Sequence, residues 1–553
     1  MRWRRRLAYL LFGLAFVLGL AYALRRPLVM YGPALMRDVF DPVAPNREIT
    51  WRQGPATASA PPGQRPPNIV VILADDLGWN DVSLNGGVAR GAAPTPHIDA
   101  LARSGARFTN AYAGNAVCAP SRAMLLTGRY STRFGFEFTP TPKGMGVVIG
   151  LFEPAADRKL RPQVDMEAAR RMPDMSELGM PSSEITLAEV LRAQGYHTLH
   201  IGKWHLGGRP EFAPTGQGFD ESLQMLGGKY LPEDDPEAVN SKQDFDPIDS
   251  FLWPNTRYSV GFNDSKPFAP KGYLTDYFTD EALKAIAANR NRPFFLYLAH
   301  WGPHTPLQAL KADYDALSGI SDRRLRVYAA MVRAVDRSVG RVMAALAERG
   351  LAENTLVFFT SDNGGANYIG LPEINQPYRG WKLTLFEGGI HVPFSMSWPA
   401  RIPAGREFAD PVSHLDIFPT SAAAAGAPLP DDRKIDGVDL LPLATGAVSA
   451  LAPRPIFWRE GSYQAVRADG WKLHVSKHPD RVWLFDLNTD PTERRELSAE
   501  RPDKVAALRA LLDAHNAEQV KPLWDSVAEM PIAVDKTLAE PEAPDDEVIW
   551  WPN

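Results

Sequence analysis

The chain has one cysteine in 553 residues, so no disulfide can close within it and cross-links contribute nothing to its stability. It also lacks a basic excess: 60 Lys and Arg stand against 65 Asp and Glu, a formal net charge of −5. That balance argues against a broad nucleic-acid surface, and no nucleic-acid partner is expected. No Gly-x-Ser-x-Gly elbow is present, which removes the usual serine hydrolase, and no P-loop, which removes the usual nucleotide hydrolase. No His-rich or Cys-rich zinc spacing occurs, and no internal repeat.

What is present is globular: 45% hydrophobic, 23% charged and 10% aromatic residues. This is enough apolar material for a large core, and the length suggests one big domain with a smaller companion. The amino terminus stands apart. Arg2, Arg4, Arg5 and Arg6 precede residues 7–24, a run free of charge, and Arg25 and Arg26 follow. As a helix this run would span about 27 Å, close to the apolar thickness of a bilayer. The arginine flank favours an amino terminus kept inside and a body exported, which places the body in the periplasm or cell envelope. Residues 1–26 are therefore expected to be an uncleaved membrane anchor or, given Ala21-Tyr22-Ala23, a removable signal. Residues 27–66 read as a tether, rich in Pro and Ala toward its end.

Short, continuous, β-branched runs recur at 67–74, 198–201, 294–299, 356–360 and 392–398, as in strands buried on both faces. Helical patterns intervene, at 185–194 and at 322–349, where Val327, Met331, Val335, Val339 and Met343 recur at three- to four-residue spacing. The expected fold is α/β, a large, mostly parallel sheet flanked by helices over 67–450. Past 451 come short runs at 455–459, 463–467, 471–476 and 482–487, parted by turn signals, and a helical pattern at 502–518. These predict a smaller antiparallel sheet plus helix over 451–520. In the tail, 521–553, Trp550 and Trp551 are expected to pack on the body or a partner, since exposed tryptophan is costly. Two long polar stretches, 139–181 and 227–271, read as walls of a substrate cleft.

Asp75-Asp76 follows the first strand directly, and Ser361-Asp362-Asn363-Gly364-Gly365 follows another. Ligands gather at the carboxyl ends of strands in open parallel sheets, so the two clusters can meet. Three carboxylates at about 4 Å and an effective dielectric near 20 repel on the order of 10 kcal/mol in total. A divalent cation removes that cost. The all-oxygen donor set of Asp75, Asp76, Asp362 and the Asn363 amide selects Ca²⁺ or Mg²⁺ over Zn²⁺.

Cys118-Ala119-Pro120-Ser121-Arg122 reads as a helix start, with Pro in the first turn and Arg122 one turn on from the cysteine. Followed by Leu126-Thr127-Gly128-Arg129, it resembles the signature of the type I sulfatases of the alkaline phosphatase superfamily. Gly202-Lys203-Trp204-His205-Leu206-Gly207, Pro303-His304-Thr305-Pro306, and Lys382 ahead of Phe386-Glu387-Gly388-Gly389 resemble further blocks of the same family, over residues 67–425.

The resemblance implies an alkaline phosphatase-like fold and Cys118 oxidised to formylglycine by a formylglycine-generating enzyme. Ca²⁺ is the usual cation, with Mg²⁺ possible, held by Asp75, Asp76, Asp362, Asn363 and residue 118 itself. Arg122 would favour the deprotonated hydrate of residue 118. Lys203 and Lys382 would hold the sulfate oxygens, His304 or Lys382 would assist the leaving oxygen, and His205 would take the proton that releases sulfate. The implied substrate is a small-molecule or saccharide sulfate ester. A phosphoester or phosphonate hydrolase of the same superfamily and a non-catalytic sulfated-glycan-binding homologue are the alternative readings.

Overall fold

The computed structural model describes residues 3–553 except 4, 5, 8, 14–18, 21–23, 143 and 145–159. At its centre is a nine-stranded sheet. Its strands are β1 (Asn68–Ala74), β2 (Ala106–Phe108), β3 (His197–Gly202), β4 (Glu221–Met225), β5 (Val260–Phe262), β6 (Phe294–Ala299), β7 (Thr355–Ser361), β8 (Phe394–Ser397) and β9 (Arg406–Phe408). They lie in the order β9-β2-β8-β7-β1-β6-β3-β4-β5. The middle block β7-β1-β6-β3-β4 is parallel throughout. Strands β8 and β5 run against it.

All residues of β1, β3, β6 and β7 are buried, which is why β1 and β6 are apolar almost throughout, without alternation. Successive residues of β1 serve two cores. Val70 and Ile72 pack with helices Leu274–Ala288 and Arg323–Glu348, whereas Ile69, Val71 and Leu73 pack with helices Cys118–Thr127, Leu187–Ala193 and Ile417–Ala425. The long helix starts at Arg323 because the Asp322 side chain accepts the Leu325 N–H. The run 392–398 is shorter than expected and antiparallel, although equally buried. Burial on both faces, not strand direction, is what its composition reports.

The four C-terminal strands Ile456–Glu460, Tyr463–Ala468, Trp471–Lys477 and Asp480–Asp486 form an antiparallel meander, followed by helix Pro502–Ala517. The tail folds back. Val548–Pro552 pairs with Ala528–Ala533, which pairs with Gln163–Val164. Trp551 is buried, and Trp550 stacks on His478 with ring centroids 4.4 Å apart.

The stretch read as a tether does not hang free. Residues Arg25–Phe40 are helical, and Trp51 is buried with its indole N–H donating to Glu281 Oε2 at 2.9 Å. Ile49 is buried with it, and the Ala44 and Gly54 N–H groups donate to the Pro267 and Ala288 carbonyls at 3.0 and 2.8 Å. The anchor expected at 7–24 lies partly outside the described residues; among those described, no helix is long and apolar enough to cross a membrane.

Candidate active site

Strand register brings the distant acidic segments together. Ala74 pairs with Ser361 and Leu73 with Ala299, and Ala299 pairs with Gly202. The strands therefore end at one level, and Asp75, Asp362 and Lys203 each step off the sheet beside the others. Gly202 has φ +112°, and a Cβ there would lie 1.9 Å from the Ala299 carbonyl oxygen. Only glycine permits that close approach, which carries Lys203 back across the sheet edge to Asp75.

Cys118 is the first residue of helix α1 (Cys118–Thr127), buried, with Pro120 inside the first turn and Gly128 closing the far end in the left-handed conformation. Its Sγ lies 3.5 Å from Asp75 Oδ1 and 3.8 Å from Asp76 Oδ1. Arg122, one turn on and wholly buried, binds Asp362 Oδ2 through Nε at 2.9 Å and Nη2 at 2.8 Å, and Asp75 Oδ2 at 3.3 Å. It also donates to the Lys203 carbonyl at 3.0 Å. Lys203 Nζ lies 2.7 Å from Asp75 Oδ2 and over the Trp301 ring. Lys382 Nζ lies 2.8 Å from Asp76 Oδ1 and 3.3 Å from His304 Nε2. His304 Nε2 is 3.5 Å from Asp76 Oδ2, and its ring stacks on Trp301 at 3.9 Å.

All the sequence-derived residues reach this corner. Lys203 and His205 lie beyond the strand: β3 ends at Gly202, and His205 turns through φ 67°. His205 nonetheless lines the same cavity as Cys118, His304 and Lys382. Ligand atoms of Asp75, Asp76, Cys118 and His304 lie within 4.8 Å of one another, whereas Asp362 spends its carboxylate on Arg122 and the Asp76 amide. His304 thus sits closer to the acidic cluster than a purely proton-transferring role requires.

The electrostatics follow from burial. Asp75 is pushed up to about 7 by burial and then by Asp362, despite Lys203 and Arg122 beside it. Burial would raise Asp76 too, but Lys382, His304 and Lys203 hold it well below the carboxylate range. Burial, with Lys203 next, pushes His205 well below the ordinary imidazole value, and burial takes His304 down to about 3. Burial thus favours the neutral form of both rings. Burial and the Asp362 charge push the Cys118 thiol up. It is not a thiolate here, so it is a poor nucleophile as it stands.

The donor set fits a hard cation. Asn363 Nδ2 donates to Asp76 Oδ1 at 2.7 Å, while its buried Oδ1 has no hydrogen-bond partner among the described residues. An orphaned amide oxygen beside three carboxylates, one of them raised to about 7, marks a place that favours added positive charge.

Three residues escaped the sequence. Tyr368 donates its hydroxyl to Asp76 Oδ2 at 2.9 Å and accepts from Lys382 at 3.1 Å. Trp301 seats both Lys203 and His304. His414 joins Ser121 Oγ at 3.2 Å to Thr360 Oγ1 at 3.1 Å, tying α1 to β7. Trp301 lies two residues beyond β6, at the sheet edge where ligands gather; the other two carried no local signal.

The Sulfatase family profile matches residues 67–427, and that of the N-sulphoglucosamine sulphohydrolase C-terminal region matches 380–518. N-acetylgalactosamine-6-sulfatase of Mus musculus is 37% identical over 447 residues, 79% of this chain and 76% of its own. Arylsulfatase A of Homo sapiens is 34% identical over 499 residues, 81% of this chain and 87% of its own. The crystal structure of Ps i-CgsB with k-i-k-neocarrahexaose superposes with a TM-score of 0.69 at 31% identity, covering 83% of this chain and 95% of that one. A phosphonate monoester hydrolase from Silicibacter pomeroyi shares the fold alone, at TM-score 0.57 and 18% identity. The chain belongs to the sulfatase family, the type I sulfatases of the alkaline phosphatase superfamily, and is a sulfuric ester hydrolase.

Proposed function

We propose that this enzyme cleaves sulfate esters of exported saccharides or aryl alcohols through a formylglycine at position 118. The observation that carries the reading is the buried Cys118, 3.5 Å from one carboxylate and 3.8 Å from the next, facing a cavity lined by His205, His304 and Lys382. A neutral thiol in that position has no evident catalytic use. Its oxidised aldehyde does: as a hydrate it offers one oxygen for attack on sulfur and a second hydroxyl for later release of sulfate.

Asp75, Asp76, Asp362, the Asn363 amide oxygen and residue 118 would hold Ca²⁺, with Mg²⁺ the other hard cation that suits them. Such a cation, when bound, polarises sulfate oxygens and lowers the pKa of a hydroxyl it touches. Arg122 favours negative charge on residue 118 from the turn below. Lys203 and Lys382, now folded onto Asp75 and Asp76, are placed to turn toward the three sulfate oxygens. Lys382, held protonated by Asp76 against its burial, gives the leaving oxygen its proton, with His304 Nε2 3.3 Å from Nζ to assist the transfer. His205, neutral and with Nδ1 unpartnered among the described residues, removes the proton that lets sulfate depart. Maturation would need a formylglycine-generating enzyme. Export, with the basic-flanked run 7–24 as leader or anchor, belongs to the same reading.

Mass analysis of the peptide carrying residue 118, from a host that makes formylglycine, is the direct test. The aldehyde or its hydrate is expected. A free thiol there, with an aryl sulfate left uncleaved, would favour a glycan-binding role. Aryl phosphate turned over faster than aryl sulfate by orders of magnitude would favour the phosphoester alternative.

A further inference from the structure

The residues past 518 lie outside both family matches, yet they build part of the active-site cavity. That cavity measures about 330 Å³. Cys118, His205, His304 and Lys382 line it. Met530, Ile532, Leu538 and Trp551 come from the C-terminal segment and line it as well. Ile248 and Leu252, from helix Pro247–Asn255, face into the same space. The segment is held there by backbone pairing: Met530 with Trp551, Ile532 with Ile549, and Ala528 with Val164. The Leu538 N–H donates to the Asn367 carbonyl, one residue from Tyr368. The wall is therefore anchored to the catalytic corner itself.

Its charge is informative. Among the described residues lining the cavity, the only Lys or Arg is Lys382, which the sulfate itself requires; the other charged groups are the carboxylates of Asp246 and Glu542. Against these described residues, a second sulfate or a carboxylate on the substrate would lose water without gaining a cation. Apolar ring surface, in contrast, would be buried against Met530, Ile532, Leu538 and Trp551.

We infer that residues 528–553 form a substrate wall that selects a monosulfated ester whose alcohol part is apolar and uncharged, an aryl or alicyclic alcohol rather than a polysulfated saccharide. This rests on the sulfatase reading above.

The test is sulfate release by the formylglycine-bearing enzyme from 2-naphthyl sulfate, a monosaccharide 6-sulfate and a disulfated disaccharide. The expected order of kcat/KM is the order given. Met530→Ala and Leu538→Ala are each expected to raise KM for 2-naphthyl sulfate about tenfold, with kcat little changed. Leu538→Arg is expected to lower kcat/KM for 2-naphthyl sulfate and raise it for the disulfated disaccharide. Melting midpoints of the variants within a few degrees of the parent confirm the fold; a variant that fails this check is replaced by Leu538→Gln, expected to raise KM for 2-naphthyl sulfate in the same direction. A disulfated disaccharide preferred by the parent, or KM effects equal on all three substrates, would overturn the inference while leaving the sulfatase reading intact. Absence of sulfate release from every ester would instead strike at that reading.

Discussion

Two clusters of buried charge among the described residues differ in kind, and of these two the first is suited to chemistry. At the carboxyl ends of β1 and β7, Asp75, Asp76 and Asp362 meet Arg122, Lys203 and Lys382 beside an open cavity. Beneath the C-terminal meander, Glu387 and Glu493 meet Lys472, with Glu387 Oε1 and Glu493 Oε1 at 2.7 and 3.0 Å from Nζ. In the second cluster every carboxylate oxygen is used. Glu387 Oε2 takes His391 at 2.9 Å and the Tyr112 hydroxyl at 3.0 Å. Glu493 takes His474 at 3.0 Å and the Glu387 backbone N–H at 2.6 Å. In the first, an amide oxygen is orphaned, a carboxyl is raised to about 7 and a neutral thiol faces the carboxylates. A satisfied network holds a domain joint in place; an unsatisfied one awaits a ligand.

The largest expected contrast comes from removing one group from each cluster. Cys118→Ala should lower kcat/KM for an aryl sulfate by about 10⁴-fold or more, worth roughly 5.5 kcal/mol of barrier, and leave the melting midpoint within a few degrees. Glu387→Gln should do the reverse. Losing one partner of a buried pair costs about 3–5 kcal/mol, so the midpoint falls well below the parent's while activity per folded molecule is kept. Equal losses of stability in the two variants would erase the distinction between the clusters.

Metal removal should sharpen it further. A chelator is expected to abolish sulfate release and to lower the melting midpoint, with added Ca²⁺ or Mg²⁺ reversing both. At a hundred to a thousand times Kd, a bound cation stabilises the fold by about 3–4 kcal/mol. Asp362→Asn should lose this response, whereas Glu387→Gln should retain it from its lower starting point. Melting curves with and without Ca²⁺ decide the matter.

The sequence made the first cluster legible and left the second almost dark. Strand-end acidic pairs, Gly-Lys-Trp-His and Cys-Ala-Pro-Ser-Arg are local patterns, and a parallel sheet has only one edge at which they can converge. The boundaries of β1, β6 and β7 followed from buried apolar runs, because a strand covered on both faces leaves no alternation to misread. Partners contributed by tertiary packing had no such signature. Tyr368 and His414 are single residues in unremarkable contexts, and Lys472 and Glu493 meet Glu387 only after the meander docks. Glu387, which the sequence offered only as part of a family-like block, is the centre of the buried network. The docking of 41–66 was dark for a related reason: composition describes an average, whereas Ile49, Trp51 and the Ala44 and Gly54 N–H groups attach the segment at single points.

The smallest expected effect is the pH dependence of the satisfied cluster. Burial would raise the Glu387 carboxyl, but Lys472, and after it His391, hold it below the ordinary carboxylate range. In the unfolded chain it titrates near about 4.3. A carboxyl lower in the folded state than in the unfolded one stabilises the fold fully above the unfolded value. That contribution drains away as pH falls from there toward the folded value, by at most about 1.4 kcal/mol per pH unit for one group. Glu387→Gln carries no such charge to lose. The gap in melting midpoint between parent and Glu387→Gln should therefore be constant from pH 7 to about 5 and narrow steadily from about 4.3 toward 3. A gap that stayed constant down to pH 3 would mean that Glu387 is not a paired carboxylate, and the contrast between the two clusters would then rest on geometry alone.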